Sequence, residues 1–331
     1  ARVDYDGTAS SLLVEPMRTN LVLTSASGNY ENNPASEILA IAPDGTNTAI
    51  RPVPDSSSDR YGHTIAGGTY SSSDEVTYSW YRKRFSTPLS YFVGDLYVNV
   101  LVNCAQVGVT TEIASSINGY DRFSATFSIT DGSLNSTLRF YFGAIIGAGN
   151  SSVAYWGHQL ETGSYATSYI PTDGSTVTRV QDQYSKTGIS NLINSEEGVL
   201  FVEMAALTND TSFRAMSISD STTSNRITLV YNGGIRVFNV VGGSVSSNIN
   251  YTTTITTTQK IAIVWSSSSF ALWVNGVERG VISGVSIASN TLNKLSLDQG
   301  NGGNNMFAKV KQLQIFKTAL TDPELVTLTT I

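Results

Sequence analysis

Acid–base or nucleophilic catalysis by this chain would depend on two histidines, His63 and His158, and a single cysteine, Cys104. A serine or cysteine nucleophile needs a base beside it, and a zinc site needs three or four clustered ligands. The two histidines stand far apart in the sequence, and no Gly-x-Ser-x-Gly segment precedes a helical pattern. A packing or surface role for both histidines is therefore favoured over catalysis.

Carboxylates could support glycoside hydrolysis, which needs two carboxyl groups that flank the scissile bond. Sandwich glycosidases carry such acids at alternate positions of one strand, but the strand patterns of this sequence, for example 227–231 and 260–264, lack them. The adjacent pair Glu196-Glu197 precedes a strand pattern, where a solvated surface pair is the favoured interpretation. We therefore predict that the protein is not an enzyme.

Saccharide binding needs only exposed aromatic faces and a few hydrogen-bonding side chains. Aromatic residues are dense between positions 61 and 97. From these we predict a carbohydrate-binding set, namely Tyr61, Tyr70, Trp80, Tyr81 and Tyr91. The competing interpretation is core packing, because strand alternation places Tyr78 and Trp80 on one face and Tyr81 on the other. For Trp265 and Trp273, which lie in apolar strand patterns, core packing is favoured.

The segment 300–305 is rich in glycine and asparagine, but no Lys-Ser, Lys-Thr or helix follows it, so it is not a phosphate-binding loop. Asp298 and Asn301 supply oxygen atoms that could hold a structural calcium ion at one end of a sandwich. A polar turn without a ligand is the favoured alternative. We predict no other cofactor.

The elements that position these residues are predicted to be strands, because apolar and polar residues alternate between runs of Gly, Asn, Asp and Ser. The predicted strands are 76–84, 96–104, 123–130, 137–144, 199–207, 226–231, 235–240, 260–265, 270–275 and 309–316. Asn275-Gly276 predicts a hairpin turn, and the threonine-rich segment 252–258 is interpreted as an exposed hairpin edge. The segment 321–324, Thr-Asp-Pro-Glu, predicts one short C-terminal helix that ends near Leu328.

Length and composition indicate two globular domains with a neutral, polar surface. A chain of 331 residues suits two β-sandwiches, and the Thr/Ser/Gly-rich stretch 172–190 is the best boundary, which predicts domains at 1–183 and 184–331. A net charge of −6 argues against a nucleic-acid partner. No apolar run is long enough for membrane insertion, and residues 1–6 lack the pattern of a signal peptide, so we expect synthesis in a cytoplasm.

Three stretches of the first half resemble a family of bacteriophage virion proteins. They are 12–21 (LLVEPMRTNL), 42–49 (APDGTNTA) and, most specifically, 156–179, which begins WGHQLETG and continues through ATSYIPT to Thr178-Arg179. The same half resembles jelly-roll carbohydrate-binding modules, in which the strand that begins at Trp156 would be the last. Many such modules have a calcium-binding Asp where this sequence has Gly157, which counts against calcium in this half. We expect 156–179 to organise the end of the first domain.

The second half resembles concanavalin A-like or laminin-G-like sandwiches. The residues that carry this resemblance are 261–265 (IAIVW), 270–277 (FALWVNGV) and 314–325 (QIFKTALTDPEL). The expected fold class is therefore all-β, with a jelly roll, a concanavalin A-like sandwich and one short C-terminal helix. Such a fold specifies a scaffold better than a ligand.

Together the resemblances imply a structural protein of the phage particle, as a tail fibre, another appendage or a capsid decoration, exposed on the virion surface. Its expected partners are other virion proteins, a glycan of the host cell surface and further copies of itself, with a homotrimer as the first expectation. The alternative is a lectin that serves as the receptor-binding protein. A polysaccharide depolymerase is the third and weakest hypothesis.

Overall fold

The computed structural model describes residues 2–6, 9–27, 29–31, 36–53, 60–68, 70–84, 96–98, 104–106, 111–129, 136–143, 153–284 and 287–331. In chain order its strands are β1 (Arg2–Asp6), β2 (Ala9–Val14), β3 (Arg18–Asn20), β4 (Asn29–Glu31), β5 (Ser36–Ala40), β6 (Ala49–Val53), β7 (Arg60–Gly68), β8 (Glu75–Arg84), β9 (Leu96–Val98), β10 (Cys104–Gln106), β11 (Thr111–Ile117), β12 (Tyr120–Ile129), β13 (Ser136–Gly143), β14 (Val153–Thr162), β15 (Val177–Arg179), β16 (Ser185–Thr187), β17 (Gly198–Ala206), β18 (Arg214–Ser219), β19 (Arg226–Tyr231), β20 (Ile235–Val241), β21 (Ser244–Tyr251), β22 (Gln259–Trp265), β23 (Phe270–Val274), β24 (Val277–Ile282), β25 (Lys294–Ser296) and β26 (Ala308–Phe316). The described helices are a 3₁₀ turn at Ser190–Leu192 and α1 (Asp322–Thr329). The expected all-β class with one short C-terminal α-helix is confirmed.

The chain divides into two compact units. The first sandwich is Met17–Val180, and the second sandwich combines Ala1–Pro16 with Gln181–Ile331. This differs from the prediction of 1–183 and 184–331, because the N-terminal hairpin β1–β2 joins the second sandwich. There β2 pairs with β26, Leu12 opposite Val310, and Val14 is fully buried in the core of that unit. Sequence alternation predicts a strand but not the sheet that the strand joins.

The first sandwich contains two main sheets and a short ribbon. One sheet has the order β10-β12-β8-β14-β6-β5, with β11 also paired to β12, and the other has the order β4-β7-β13-β9. The ribbon joins β3 to β15. Alternate residues of β8, β12 and β14 enter the core, where Tyr78 stacks on Phe140 with ring centroids 4.5 Å apart. Burial of these rings supplies a large share of the hydrophobic stabilisation of this unit.

The second sandwich packs a seven-stranded sheet, β1-β2-β26-β17-β22-β23-β24, against a six-stranded sheet, β16-β25-β18-β19-β20-β21. All pairings within both sheets are antiparallel. The core between the sheets is aliphatic, with Leu200, Ile218, Leu229 and Ile263 fully buried. The apolar residues of β17, β22 and β23 that do not enter this core cluster with Leu325 of α1. Such continuous apolar strands are expected where both faces of a sheet are covered.

Local signals in the sequence agree with the structure at the start of α1 and at the β23–β24 turn, and they fail in the threonine-rich segment. The start of α1 is a capping box in which the backbone N–H and the hydroxyl of Thr321 donate to Glu324 Oε2 at 2.8 and 2.7 Å. Asn275 and Gly276 form the β23–β24 turn with φ values of 53° and 78°. The prediction for the threonine-rich segment 252–258 is wrong: it is irregular, because Ile255 is buried and its carbonyl accepts the N–H of Ala206 at 2.8 Å. Among the described residues no helix is both long and apolar enough to span a membrane.

Candidate functional site

The two histidines come together in the core of the first sandwich. The ring centroids of His63 and His158 are 4.7 Å apart, and Tyr78 Oη lies 2.7 Å from His158 Nδ1. Burial lowers the pKa of His63 to about 4, and burial together with the neighbouring His63 lowers the pKa of His158 well below its usual range. Both imidazoles are therefore neutral at neutral pH. Since both side chains are almost completely buried, they are core residues. Their positions in the sequence do not predict that they meet.

Four of the aromatic residues predicted to bind a saccharide are buried in the structure. Tyr61, Tyr70, Trp80 and Tyr81 are only 2, 4, 0 and 8% exposed, so none offers an open ring face on which a sugar could stack. As the alternation predicted, Trp80 lies in the same core cluster as Tyr78, and Tyr81 lies in another. The fifth residue, Tyr91, lies outside the described residues. The physical reason for the correction is that these rings are the hydrophobic material of the first sandwich.

The proposed calcium ligands instead shape their own loop. Asp298 is 6% exposed, and its Oδ1 accepts hydrogen bonds from Ser296 Oγ and from the N–H groups of Gly300 and Gly302, at 3.1, 2.5 and 3.1 Å. Asn301 Oδ1 accepts the N–H of Gly303 at 3.1 Å. Protein donors thus bond to one carboxylate oxygen of Asp298 and to the amide oxygen of Asn301. Over the described ranges, no three His, Cys, Asp or Glu side chains cluster as metal ligands.

The segment 156–179 begins with a β-bulge. The pairing of β14 with β8 shifts register between Trp156 and Gln159, and Gly157 lies there with φ +64°. A Cβ on Gly157 would lie 2.7 Å from the ring of Tyr81, so glycine is required for both conformation and space. An aspartate at this position would therefore fit only if the ring of Tyr81 moved.

After the bulge, a buried hydrogen-bond network fixes the segment 163–172 onto β14. Glu161 is fully buried, and its carboxylate accepts Gln159 Nε2 at 2.7 Å, the N–H of Thr167 at 2.9 Å and the hydroxyl of Thr167. Gln159 Oε1 accepts the N–H of Ile170 at 2.6 Å. Asn20, also fully buried, donates to Ile170 O at 2.9 Å and accepts Leu160 N–H at 3.1 Å. We call Asn20, Gln159, Glu161 and Thr167 the motif network; its role is structural.

An open pocket of about 260 Å³ lies at one end of the six-stranded sheet of the second sandwich, lined by residues 232–236 and 250–252. We call it the hairpin pocket, because the β19–β20 hairpin forms one wall and the end of β21 forms the other. The backbones approach closely there: a Cβ on Gly234 would lie 2.8 Å from the carbonyl oxygen of Tyr251. Asn232 and Asn250 are exposed at its rim. In the sequence, the hairpin pocket is indicated only by the turn segment Asn232-Gly233-Gly234 followed by Arg236.

Arg236 is the charged residue of the hairpin pocket lining. Its Nε donates to Asn248 Oδ1 at 2.7 Å, and its guanidinium carbon lies 4.9 Å from the ring centroid of Phe238. These two contacts hold the guanidinium in place, and among the described residues its two terminal nitrogens have no hydrogen-bond partner. The pocket thus combines a fixed cation with amide groups, and such groups can bind a polar ligand through hydrogen bonds.

Solved structures similar to parts of this chain come from several kinds of protein. The CBM40 of Ruminococcus gnavus IT-sialidase is 13% identical over 43% of this chain and 86% of that chain, with a TM-score of 0.36. A heptameric SAP-like pentraxin from Limulus polyphemus is 14% identical over 44% of this chain and 73% of that chain, with a TM-score of 0.35. Domains LG4-5 of the mouse laminin alpha1 chain are 11% identical over 95% and 92%, with a TM-score of 0.28. No curated protein matches the chain.

A family model identifies the fold of the second sandwich. Residues 200–326 match Laminin_G_3, the concanavalin A-like lectin/glucanases superfamily. This range contains the hairpin pocket and the strands of both sheets except β1, β2 and β16, with β17 included from Leu200 onward. The second sandwich is therefore a concanavalin A-like, laminin-G-like domain, as the segments 261–265, 270–277 and 314–325 predicted.

Proposed function

We propose that this chain is a non-catalytic, adhesive structural protein of a bacteriophage particle, whose second sandwich binds a polysaccharide of the host surface. The observation that carries the adhesive part is the hairpin pocket: an open, polar cavity on a concanavalin A-like domain, lined by Arg236 and by exposed amide groups. Saccharides present many hydroxyl groups, and such ligands are recognised by amide and guanidinium groups.

The assignment to a virion is supported by the three sequence stretches that resemble phage proteins. The motif network gives the most specific of them a physical basis, because the buried side chains of Gln159 and Glu161 both form hydrogen bonds with Thr167 of the loop that follows β14. A non-catalytic role is supported by the enclosed, neutral histidine pair and by the position of Glu196 and Glu197 in the turn before β17, where Glu196 is exposed.

We propose further that the protein assembles with other virion proteins at the particle surface and forms a homotrimer. Immunogold labelling of intact phage should place the protein on the capsid, neck or tail, and native mass spectrometry of the purified chain should give three times its mass of 35.4 kDa. Unlabelled particles would contradict the location, and a monomer at micromolar concentration would contradict the trimer.

Filling the hairpin pocket is expected to abolish saccharide binding. In Asn250→Trp a large ring replaces an exposed pocket residue of β21, whereas in the control Ser246→Trp the same ring stands on β21 outside the pocket. On an array of bacterial surface polysaccharides we expect at least one glycan bound by the wild type, with at least tenfold weaker binding by N250W and unchanged binding by S246W.

Two outcomes of this array experiment would contradict the proposal. The absence of any bound glycan, or equal binding by both tryptophan variants, would remove the hairpin pocket as an adhesive site. If the protein released new reducing ends or unsaturated sugars from the arrayed polysaccharide, it would be a depolymerase and the adhesive proposal would be wrong.

A further inference from the structure

The positive charge of the hairpin pocket has no counter-charge among the residues that the structure describes. Within the residues that the structure describes, no carboxylate lies within ion-pair distance of Arg236. A carboxylate near the pocket wall belongs to Asp210, whose backbone carbonyl accepts the N–H of Gly233, but its side chain pairs with Arg214 Nη2 at 2.8 Å. A second guanidinium, that of Arg279, lies 4.6 Å from the ring centroid of Tyr251. One guanidinium thus lines the pocket and a second packs on a lining residue, although the whole chain carries a net charge of −6.

The guanidinium of Arg236 is also held ready for a planar anion. Asn248 binds its Nε, and the ring of Phe238 lies against it. The four remaining N–H bonds sit on the two terminal nitrogens, whose fork matches the two oxygens of a carboxylate. A side chain that is already fixed loses less conformational entropy on binding than a free one. Arg236 is half-buried, so an ion pair formed there is screened less than one on an open surface.

We propose that the hairpin pocket binds an acidic saccharide through its carboxylate, with Arg236 as the partner of that carboxylate and with Asn232 and Asn250 as partners of sugar hydroxyl groups. This inference rests on the proposed adhesive function and narrows it to a class of ligand, namely glycans that contain uronic acids or other sugar acids. A neutral glycan leaves a partly buried guanidinium without a counter-charge, and that is the basis of discrimination.

The chain offers a matched control for Arg236. Arg226 also lies against Phe238, with its guanidinium carbon 5.5 Å from the ring centroid, but it lies outside the hairpin pocket lining. Its Nη1 donates to the carbonyl oxygen of Thr223. Arg226→Gln therefore removes an equal charge and a contact with the same ring from the same sheet, at a position outside the pocket lining.

The test uses the full chain and oligosaccharides prepared from uronic-acid-containing bacterial polysaccharides, each paired with its carboxyl-reduced, neutral form. By isothermal titration we expect the acidic form to bind at least tenfold more tightly than the reduced form. Arg236→Gln should remove that preference, Arg236→Lys should restore part of it, and Arg226→Gln should retain it in full. Unchanged thermal unfolding of each variant shows that the fold is intact.

The outcomes separate this inference from the function on which it rests. If acidic and reduced forms bind equally, and Asn250→Trp weakens both, the pocket is adhesive but does not recognise a carboxylate, and the inference is overturned. If the preference for the acidic form survives in R236Q, the carboxylate partner is another residue and the inference is likewise overturned. If no oligosaccharide of either form binds, both the proposed adhesive function and this inference are overturned.

Discussion

Replacing Glu161 by glutamine is expected to destabilise the first sandwich by about 2 kcal/mol, because the variant places an amide NH₂ at one of the two oxygens of a fully buried carboxylate that accepts three donors. The single oxygen of the new side chain can accept Thr167 N–H and Gln159 Nε2, as Glu161 Oε2 does. The Thr167 hydroxyl then loses its acceptor and has to reorient to accept a hydrogen bond from the NH₂ group. The segment 163–172 should loosen from β14. Urea unfolding, followed by tryptophan fluorescence, measures the change in the free energy of unfolding.

The matched control is Glu196→Gln, the same substitution at an exposed site, which should change stability by less than about 0.5 kcal/mol. Hydrogen exchange should show the loss in E161Q first at the amides of Thr167 and Ile170, which donate to Glu161 and Gln159. Equal stability of E161Q and E196Q would mean that the motif network does not stabilise the fold.

Acid is expected to unfold the first sandwich before the second, because both histidines of the chain lie in the first. Burial lowers the pKa of His63 from 6.5 to about 4 and lowers that of His158 well below its usual range. Between these values the unfolded chain binds protons that the folded chain does not bind. The contribution that the buried neutral imidazoles make to the free energy of unfolding is thus fully present above pH 6.5. It is lost as the pH falls toward 4. His63 alone contributes a loss of about 3 kcal/mol.

Two measurements check the acid prediction. Proton NMR of the folded protein should show that neither histidine titrates above pH 5, and hydrogen exchange at pH 4.5 should show faster exchange at β8 and β14 than at β17 and β22. The variant His63→Phe, which retains a ring but cannot be protonated, should flatten the dependence of stability on pH. A histidine that titrates near 6.5 in the folded protein would rule out the buried neutral pair.

The strand pattern of this protein could be predicted from its sequence because alternation is a local property. The segment 226–231 is β19 to the residue, and the predicted strand 76–84 differs from β8 by one residue. The start of α1 is likewise local, since Thr321 and Glu324 belong to one capping box. Signals of this kind act over two to four residues, and the tertiary structure did not override them here.

The contacts that decide function are long-range and could not be predicted in the same way. The same alternation that predicts a strand at Tyr78 and Trp80 does not reveal which face is core, and the four described rings of the set proposed for sugar binding are buried in the first sandwich. His63 and His158 meet only because β7 and β14 lie in facing sheets. In the hairpin pocket, Arg236 depends on Asn248 of the next strand, and that pairing needs the register of β20 and β21.

The measurement that tests the account most directly is hydrogen–deuterium exchange of the full chain with and without a glycan that binds on the polysaccharide array. The account predicts slower exchange at residues 232–236 and 248–252 in the presence of the glycan, and no change in the first sandwich. Protection confined to the first sandwich, or protection at the 298–305 loop without any at the hairpin pocket, would contradict it.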